Sequence, residues 1–214
     1  DSGFGIRDSG LGTRDSGLGT RAGGQGFSPD KKTIGQPRTD DDRMPIAITR
    51  EVSAGIAACE LTHVERQAID LARARAQHGA YEEALARAGC RVESLPALDD
   101  LPDSVFVEDV AVVLDEIAIV TRPGAESRRP ETSHIAPVLA NHRRVSFIQL
   151  PGTLDGGDVL RIGRRIFVGR SGRSNESGIE QLRAVAWPYG HTVTAVPVSG
   201  CLHLKSAITE VAPA

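Results

Sequence analysis

The 214-residue chain is poor in cysteine and methionine, with three of the first and one of the second, and it carries little excess charge. Cys59, Cys90 and Cys201 match no zinc-ligand spacing and no disulfide framework, so a reducing, cytoplasmic setting is the simplest home. A formal net charge of −3 gives no bulk attraction to nucleic acid or to an anionic membrane. No apolar run is long enough to span a bilayer, and no signal-peptide core precedes a small-residue cleavage site. What is present is ordinary globular material, 40% hydrophobic and 25% charged.

Glycine is unevenly spread. Ten of the 23 glycines precede residue 44, where DSGFGIR, DSGLGTR and DSGLGTR follow one another. Two glycines in every seven residues penalise helix, and glycine–aspartate calcium repeats recur at nine residues, not seven. Residues 1–43 are therefore expected to be a disordered, non-native or mis-started leader. The globular domain is expected to run over 44–214, opening at the only methionine, Met44.

Ile46–Thr49 reads as a strand, and a helix is expected from about Asp70 to Ala88. Ile69, Ala72, Ala76, Ala80, Ala84, Leu85 and Ala88 form its apolar face and Gly89 ends it. Arg91–Leu95 reads as the next strand. Two ββαβ units follow. The first has strands Val110–Leu114 and Ile117–Thr121, a helix near 131–140 and a strand Val145–Leu150. The second has Asp158–Ile162, Ile166–Val168, a helix near 176–186 and a strand His191–Val196. A third unit opens at His203 and is read as a strand. Repeats of this kind bury their apolar faces only against one another, by stacking or by closing into a ring.

The centre of the pattern is Leu154-Asp155-Gly156-Gly157-Asp158-Val159-Leu160. Alone, an acid-rich glycine turn is an ordinary loop. Here Asp109 lies 46 residues earlier and His203 lies 48 later, each between apolar residues. Equivalent points of successive repeats that face one centre would bring Glu108, Asp109, Asp155 and His203 together. One histidine with several acids could ligate Mg²⁺ or Mn²⁺. A guanidinium fits better, because its planar fork pairs with carboxylates bidentately. Two arginine-bearing loops, 122–129 and 169–175, occupy matching places after the second strand of each unit and could hold a carboxylate.

The ordered set FVEDVAVV, RPGAESRRPE, LDGGDVL, VGRSGRSN and LHLKS resembles the dimethylarginine dimethylaminohydrolases, in the guanidino-group-modifying superfamily of arginine deiminases and amidinotransferases. The resemblance covers about residues 44–214. It implies an α/β fold, an incomplete five-bladed propeller of ββαβ units, hydrolysing methylated arginine to citrulline without metal or cofactor. Its partner is the small substrate, with no nucleic acid or membrane, and a homo-oligomer is compatible with it. In that family His203 would be general acid and base and Asp155 its partner on the guanidinium. Asp109 would bind the guanidinium nitrogens with Glu108 beside it. Phe106 and Asp103 would line the pocket, the latter meeting the α-amino end with the Leu61 loop, and Arg128 and Arg173 would hold the α-carboxylate. The family's nucleophilic cysteine belongs to a last blade not found in this chain, which is therefore expected to be an inactive fragment; Cys201, two residues before His203, would be a makeshift thiol on the same strand face. An arginine deiminase-like hydrolase and a non-catalytic arginine-binding remnant are the alternatives.

Overall fold

The computed structural model describes residues 44–62 and 64–211; the glycine-rich 1–43 segment and its expected disorder lie outside them. β1 (Ile46–Arg50) crosses through α1 (Leu71–Arg87) to β2 (Arg91–Leu95), which pairs with β1 in parallel. Asp70 starts α1, its carboxylate accepting the Arg73 amide at 3.0 Å. Gly89, at φ 87°, stops it in a conformation a side chain resists.

The inward face of α1 is not the expected one. Ala72, Ala76, Ala80, Ala84 and Ala88 are exposed, while Leu71, Ala74, His78, Glu82 and Leu85 turn inward. The alanine stripe has the right period but little apolar area to bury. The interior side is partly polar instead: Glu82 accepts the Thr49 and Ser94 hydroxyls at 2.5 and 2.7 Å, fastening the helix to β1 and β2. Those bonds hold the Glu82 carboxyl below its ordinary range against the upward push of its burial.

Two ββαβ units follow. β3 (Ala111–Val113) and β4 (Ile117–Val120) form a hairpin, α2 (Glu131–Ala140) crosses over, and β5 (Arg144–Phe147) returns parallel to β4. β6 (Val159–Ile162), β7 (Arg165–Arg170), α3 (Glu176–Ala186) and β8 (Thr192–Pro197) repeat the order. Glu116 and Arg164, at matching hairpin turns, are 48 residues apart and form an ion pair that ties the two sheets at the same point of each.

All four residues of β4 are buried, because both its faces are covered. Ile117 and Ile119 pack with Ile166, Val168, Ile179 and Leu182 of the following unit. Ala118 and Val120 point the other way, to Ile135 and Leu139 of α2 with Ile48 and Leu95 alongside. The alternation of one strand thus joins consecutive units into a single series.

The third unit differs from its reading. His203 is the N-cap of a short helix, α4 (Leu204–Ala207), and no strand runs through it. The reason is visible in the earlier units, where short 3₁₀ turns at Val107–Val110 and Gly156–Asp158 precede β3 and β6. α4, a single α-helical turn, takes the corresponding place in the third unit. Cys201 and His203 therefore share no strand face.

Ile179→Ala and Leu182→Ala are each expected to lower stability by about 2–5 kcal/mol, since both side chains are fully buried. Ala76→Lys and Ala80→Lys should stay within about 0.5 kcal/mol. Urea denaturation of the four variants checks this, and a large loss from either lysine would restore the alanine stripe to the interface.

Candidate active site

The three turns meet at one point. The Gly157 amide donates to Asp109 Oδ1 at 3.1 Å, and the His203 ring lies over the same glycine. A Cβ on Gly157 would stand 2.5 Å from His203 Nδ1 and 2.7 Å from Asp109 Oδ1. The second glycine of D-G-G-D is thus required by close approach.

His203 is 8% exposed and sits between two carboxylates. Its Nε2 is 3.1 Å from Asp155 Oδ2 and its Nδ1 is 3.9 Å from Asp109 Oδ1. Burial alone would lower the imidazole pKa; the Asp155 hydrogen bond and the charges of Asp109 and Asp158 outweigh it and raise it above the ordinary 6.5. Asp155 is itself fixed on both sides, Oδ1 accepting the Gly124 amide at 2.8 Å and its own amide donating to Ser174 Oγ at 3.0 Å.

Arg128 is placed beneath this pair. Its Nη1 donates to Asp109 Oδ2 at 2.5 Å, its Nε and Nη2 to Glu131 at 3.0 and 2.8 Å, and its Nη2 also to the carbonyls of Asp103 and Phe106. Only one Nη1 hydrogen is left, so Arg128 acts first as the internal counter-charge of the acids. Burial opposes its charge, but Glu131 and Asp109 win and its pKa rises. Burial also pushes the Glu131 carboxyl up against the pull of Arg128.

A cavity of about 250 Å³ opens above these groups. Leu61, Asp103, Phe106, Asp109, Arg128, Asp155, Arg173 and His203 all line it, joined by Cys59, Glu60 and Leu202. Glu108 does not. It is exposed, bonded to Lys205 Nζ at 2.8 Å, and it lines a larger cavity of about 680 Å³ among Ile46, Ile48, Ala111 and Val113. One residue along a 3₁₀ turn rotates the side-chain direction by about a third of a turn, which takes Glu108 away from the cavity that Asp109 lines. The Asp103 carboxylate accepts the Glu60 amide at 3.2 and 3.0 Å, anchoring the loop that carries Leu61. Burial raises its pKa, with the Glu60 amide and Arg128 opposing. Arg173 is half-buried at the mouth, its Nη2 donating to Thr62 Oγ1 at 2.8 Å.

Sequence reasoning missed Glu131, Glu60 and the serines of the 169–175 loop. Glu131 stood three residues after Arg128, a spacing that pairs charges along a helical turn. The loop was read for its arginines alone. Cys59, just before the Leu61 loop in sequence, also lines the cavity. The Cys201 thiol donates to the His203 carbonyl at 3.4 Å. Among the described residues no cluster of three or more His, Cys, Asp or Glu is arranged to hold a metal ion. No helix among them is long and apolar enough to cross a membrane.

Arg128→Ala would leave Asp109 and Glu131 buried without a counter-charge and is expected to cost about 3–5 kcal/mol, read by chemical denaturation. A loss below about 1 kcal/mol would show the network to be dispensable. Because the folded pKa of His203 is raised, its contribution to stability is complete below pH 6.5 and disappears as pH rises through the elevated folded value. Stability of His203→Gln relative to the parent, measured between pH 5 and 9, should show that loss in the parent only.

No protein-family model matches the chain. Over 164 residues it is 51% identical to the N(G),N(G)-dimethylarginine dimethylaminohydrolase of Streptomyces coelicolor, covering 76% of this chain and 64% of that protein. A variant of the dimethylarginine dimethylaminohydrolase of Pseudomonas aeruginosa, solved with citrulline, superimposes with a TM-score of 0.73 at 35% identity, over 75% of this chain and 64% of that one. The amidinotransferase SxtG from Microseira wollei, 18% identical with a TM-score of 0.63 over 79% of this chain and 65% of that one, shares the fold alone. The chain spans less than two thirds of the length of these proteins and has their propeller-like α/β fold. By the sequence it shares with them and by its fold, it is a relative of the dimethylarginine dimethylaminohydrolases.

Proposed function

We propose that residues 44–214 are the substrate-binding and acid–base part of a five-bladed propeller that hydrolyses Nω-methylated arginine to citrulline and dimethylamine or methylamine. One observation carries this reading. Four carboxylates and two guanidiniums line the cavity, and its imidazole is held between Asp109 and Asp155. An excess of acid around a small, half-enclosed space favours a cationic head, and a planar one can lie between two carboxylates. At the mouth, Arg173 is the guanidinium with hydrogen-bonding capacity turned outward, suited to the α-carboxylate of an amino acid. The relative solved with citrulline supports the same class of ligand.

In this reading a thiolate attacks the guanidinium carbon and dimethylamine leaves with a proton from His203. The neutral imidazole then takes a proton from water, which hydrolyses the thiouronium to citrulline and frees the thiol. The carboxylates beside His203 raise its pKa and so favour the protonated form, the one needed for the first step. The thiol is none of the three present. Cys201 is turned to a backbone carbonyl. Cys59 is buried and packs against Val52, Ile56 and Leu71. Cys90 lies at the junction of α1 and β2, away from the cavity.

Two assays test the reading together. Isothermal titration of the 214-residue chain with Nω,Nω-dimethylarginine is expected to show binding that Asp155→Asn weakens by about tenfold or more, the loss of a charged pair. The same chain should form no citrulline. Absence of binding would contradict the site assignment, and citrulline production abolished by Cys59→Ser or Cys201→Ser would contradict the assignment of the thiol.

A further inference from the structure

Asp158, the second acid of D-G-G-D, is fully buried and does not line the cavity. Its carboxylate is nonetheless linked, through Leu204, Ser174 and Ser171, to three residues that do: His203, Asp155 and Arg173. Oδ1 accepts the amide of Leu204 at 2.9 Å, the residue that follows His203. Oδ2 accepts the hydroxyls of Ser171 and Ser174 at 2.6 and 2.7 Å. Each serine oxygen then accepts backbone amides. Ser174 Oγ takes that of Asp155 at 3.0 Å, and Ser171 Oγ takes those of Arg173 and Ser174 at 3.0 and 3.3 Å. Space for the carboxylate comes from Gly169, where a Cβ would stand 2.6 Å from Oδ1.

These bonds give Asp158 one geometric consequence. The seat of His203, the backbone of Asp155 and the loop that carries Arg173 all hang from one buried carboxylate. All three residues line the cavity, and in the functional reading His203 and Asp155 meet the guanidinium while the half-buried Arg173 meets the α-carboxylate. We propose that Asp158 is a positioning residue that fixes the separation between the two ends, and so the side-chain length of the amino acid the cavity accepts. This rests on the functional reading above. Asp158→Asn keeps the volume but only one acceptor oxygen: turned to the serines it leaves the Leu204 amide facing an NH₂, and turned to Leu204 it puts the NH₂ against two hydroxyls whose oxygens already accept amides. In the first case the seat of His203 is released, and in the second the hydroxyls have no acceptor and the loop that carries Arg173 is released.

The test compares binding of three ligands to the full chain: Nω,Nω-dimethylarginine and its homologues one methylene shorter and longer. The parent is expected to prefer the arginine length by about tenfold or more, the usual value of one methylene in a fitted site. Asp158→Asn should reduce that preference to under about threefold. Ser171→Ala, which removes one bond to the carboxylate and no charge, should narrow it in the same direction and covers the case in which Asp158→Asn does not fold. The ratio between homologues is independent of the folded fraction, so a role in stability alone would leave it unchanged. An unchanged ratio in the variants, with the parent binding selectively, overturns the role of Asp158. No binding of any homologue to the parent overturns the functional reading, and this inference with it.

Discussion

Three turns from three successive repeats have to reach one point, and the amide of Gly157 on the carboxylate of Asp109 is the contact that allows it. Everything polar at the site is arranged around that approach. The imidazole occupies the space a side chain at 157 would fill, Asp155 meets it from one side and Asp109 from the other. The scaffold achieves this without long loops because the turns are short and each leads into the next unit: Val107–Val110 and Gly156–Asp158 each start a hairpin. The apolar alternation of β4 then keeps the units in register, one face toward the next repeat and the other toward α2.

Collecting acids in a small cavity is unfavourable unless something offsets their charge. Arg128 does so from below, shared between Asp109 and Glu131, and His203 does so from within. Hydrogen bonds from backbone amides do the rest, at Gly124 on Asp155, Gly157 on Asp109, Glu60 on Asp103 and Leu204 on Asp158. The outcome is a fixed set of negative oxygens with little freedom to reorganise, the condition under which an electrostatic site discriminates well. The loop around Leu61 is tied to the same framework through Asp103 and, at the mouth, through Thr62 on Arg173. Cavity floor, wall and lip are therefore parts of one network of hydrogen bonds.

Much of this was legible in the residues. Both ββαβ units, their hairpin turns at Asp115-Glu116 and Gly163-Arg164, and the helices α2 and α3 follow from apolar periodicity and turn chemistry. The convergence of Asp109, Asp155 and His203 followed from their spacing along the chain. Other features were not accessible that way. The inward face of α1 is chosen by Glu82 finding hydroxyls on β1 and β2, a tertiary event with no period of its own. Leu202-His203-Leu204 has the pattern of a strand and becomes the cap of a short helix because the Leu204 amide is taken by Asp158. Glu108 and Asp109 were grouped as neighbours in sequence, whereas a 3₁₀ turn sends them to different cavities.

A crystal structure of the chain soaked with Nω,Nω-dimethylarginine is the most direct examination of the central claim. The guanidinium is expected to lie flat between the carboxylates of Asp109 and Asp155, beside the His203 ring, with the α-carboxylate at Arg173. A ligand seated instead in the larger cavity beside Glu108, or reversed with its carboxylate against Asp155, would contradict it.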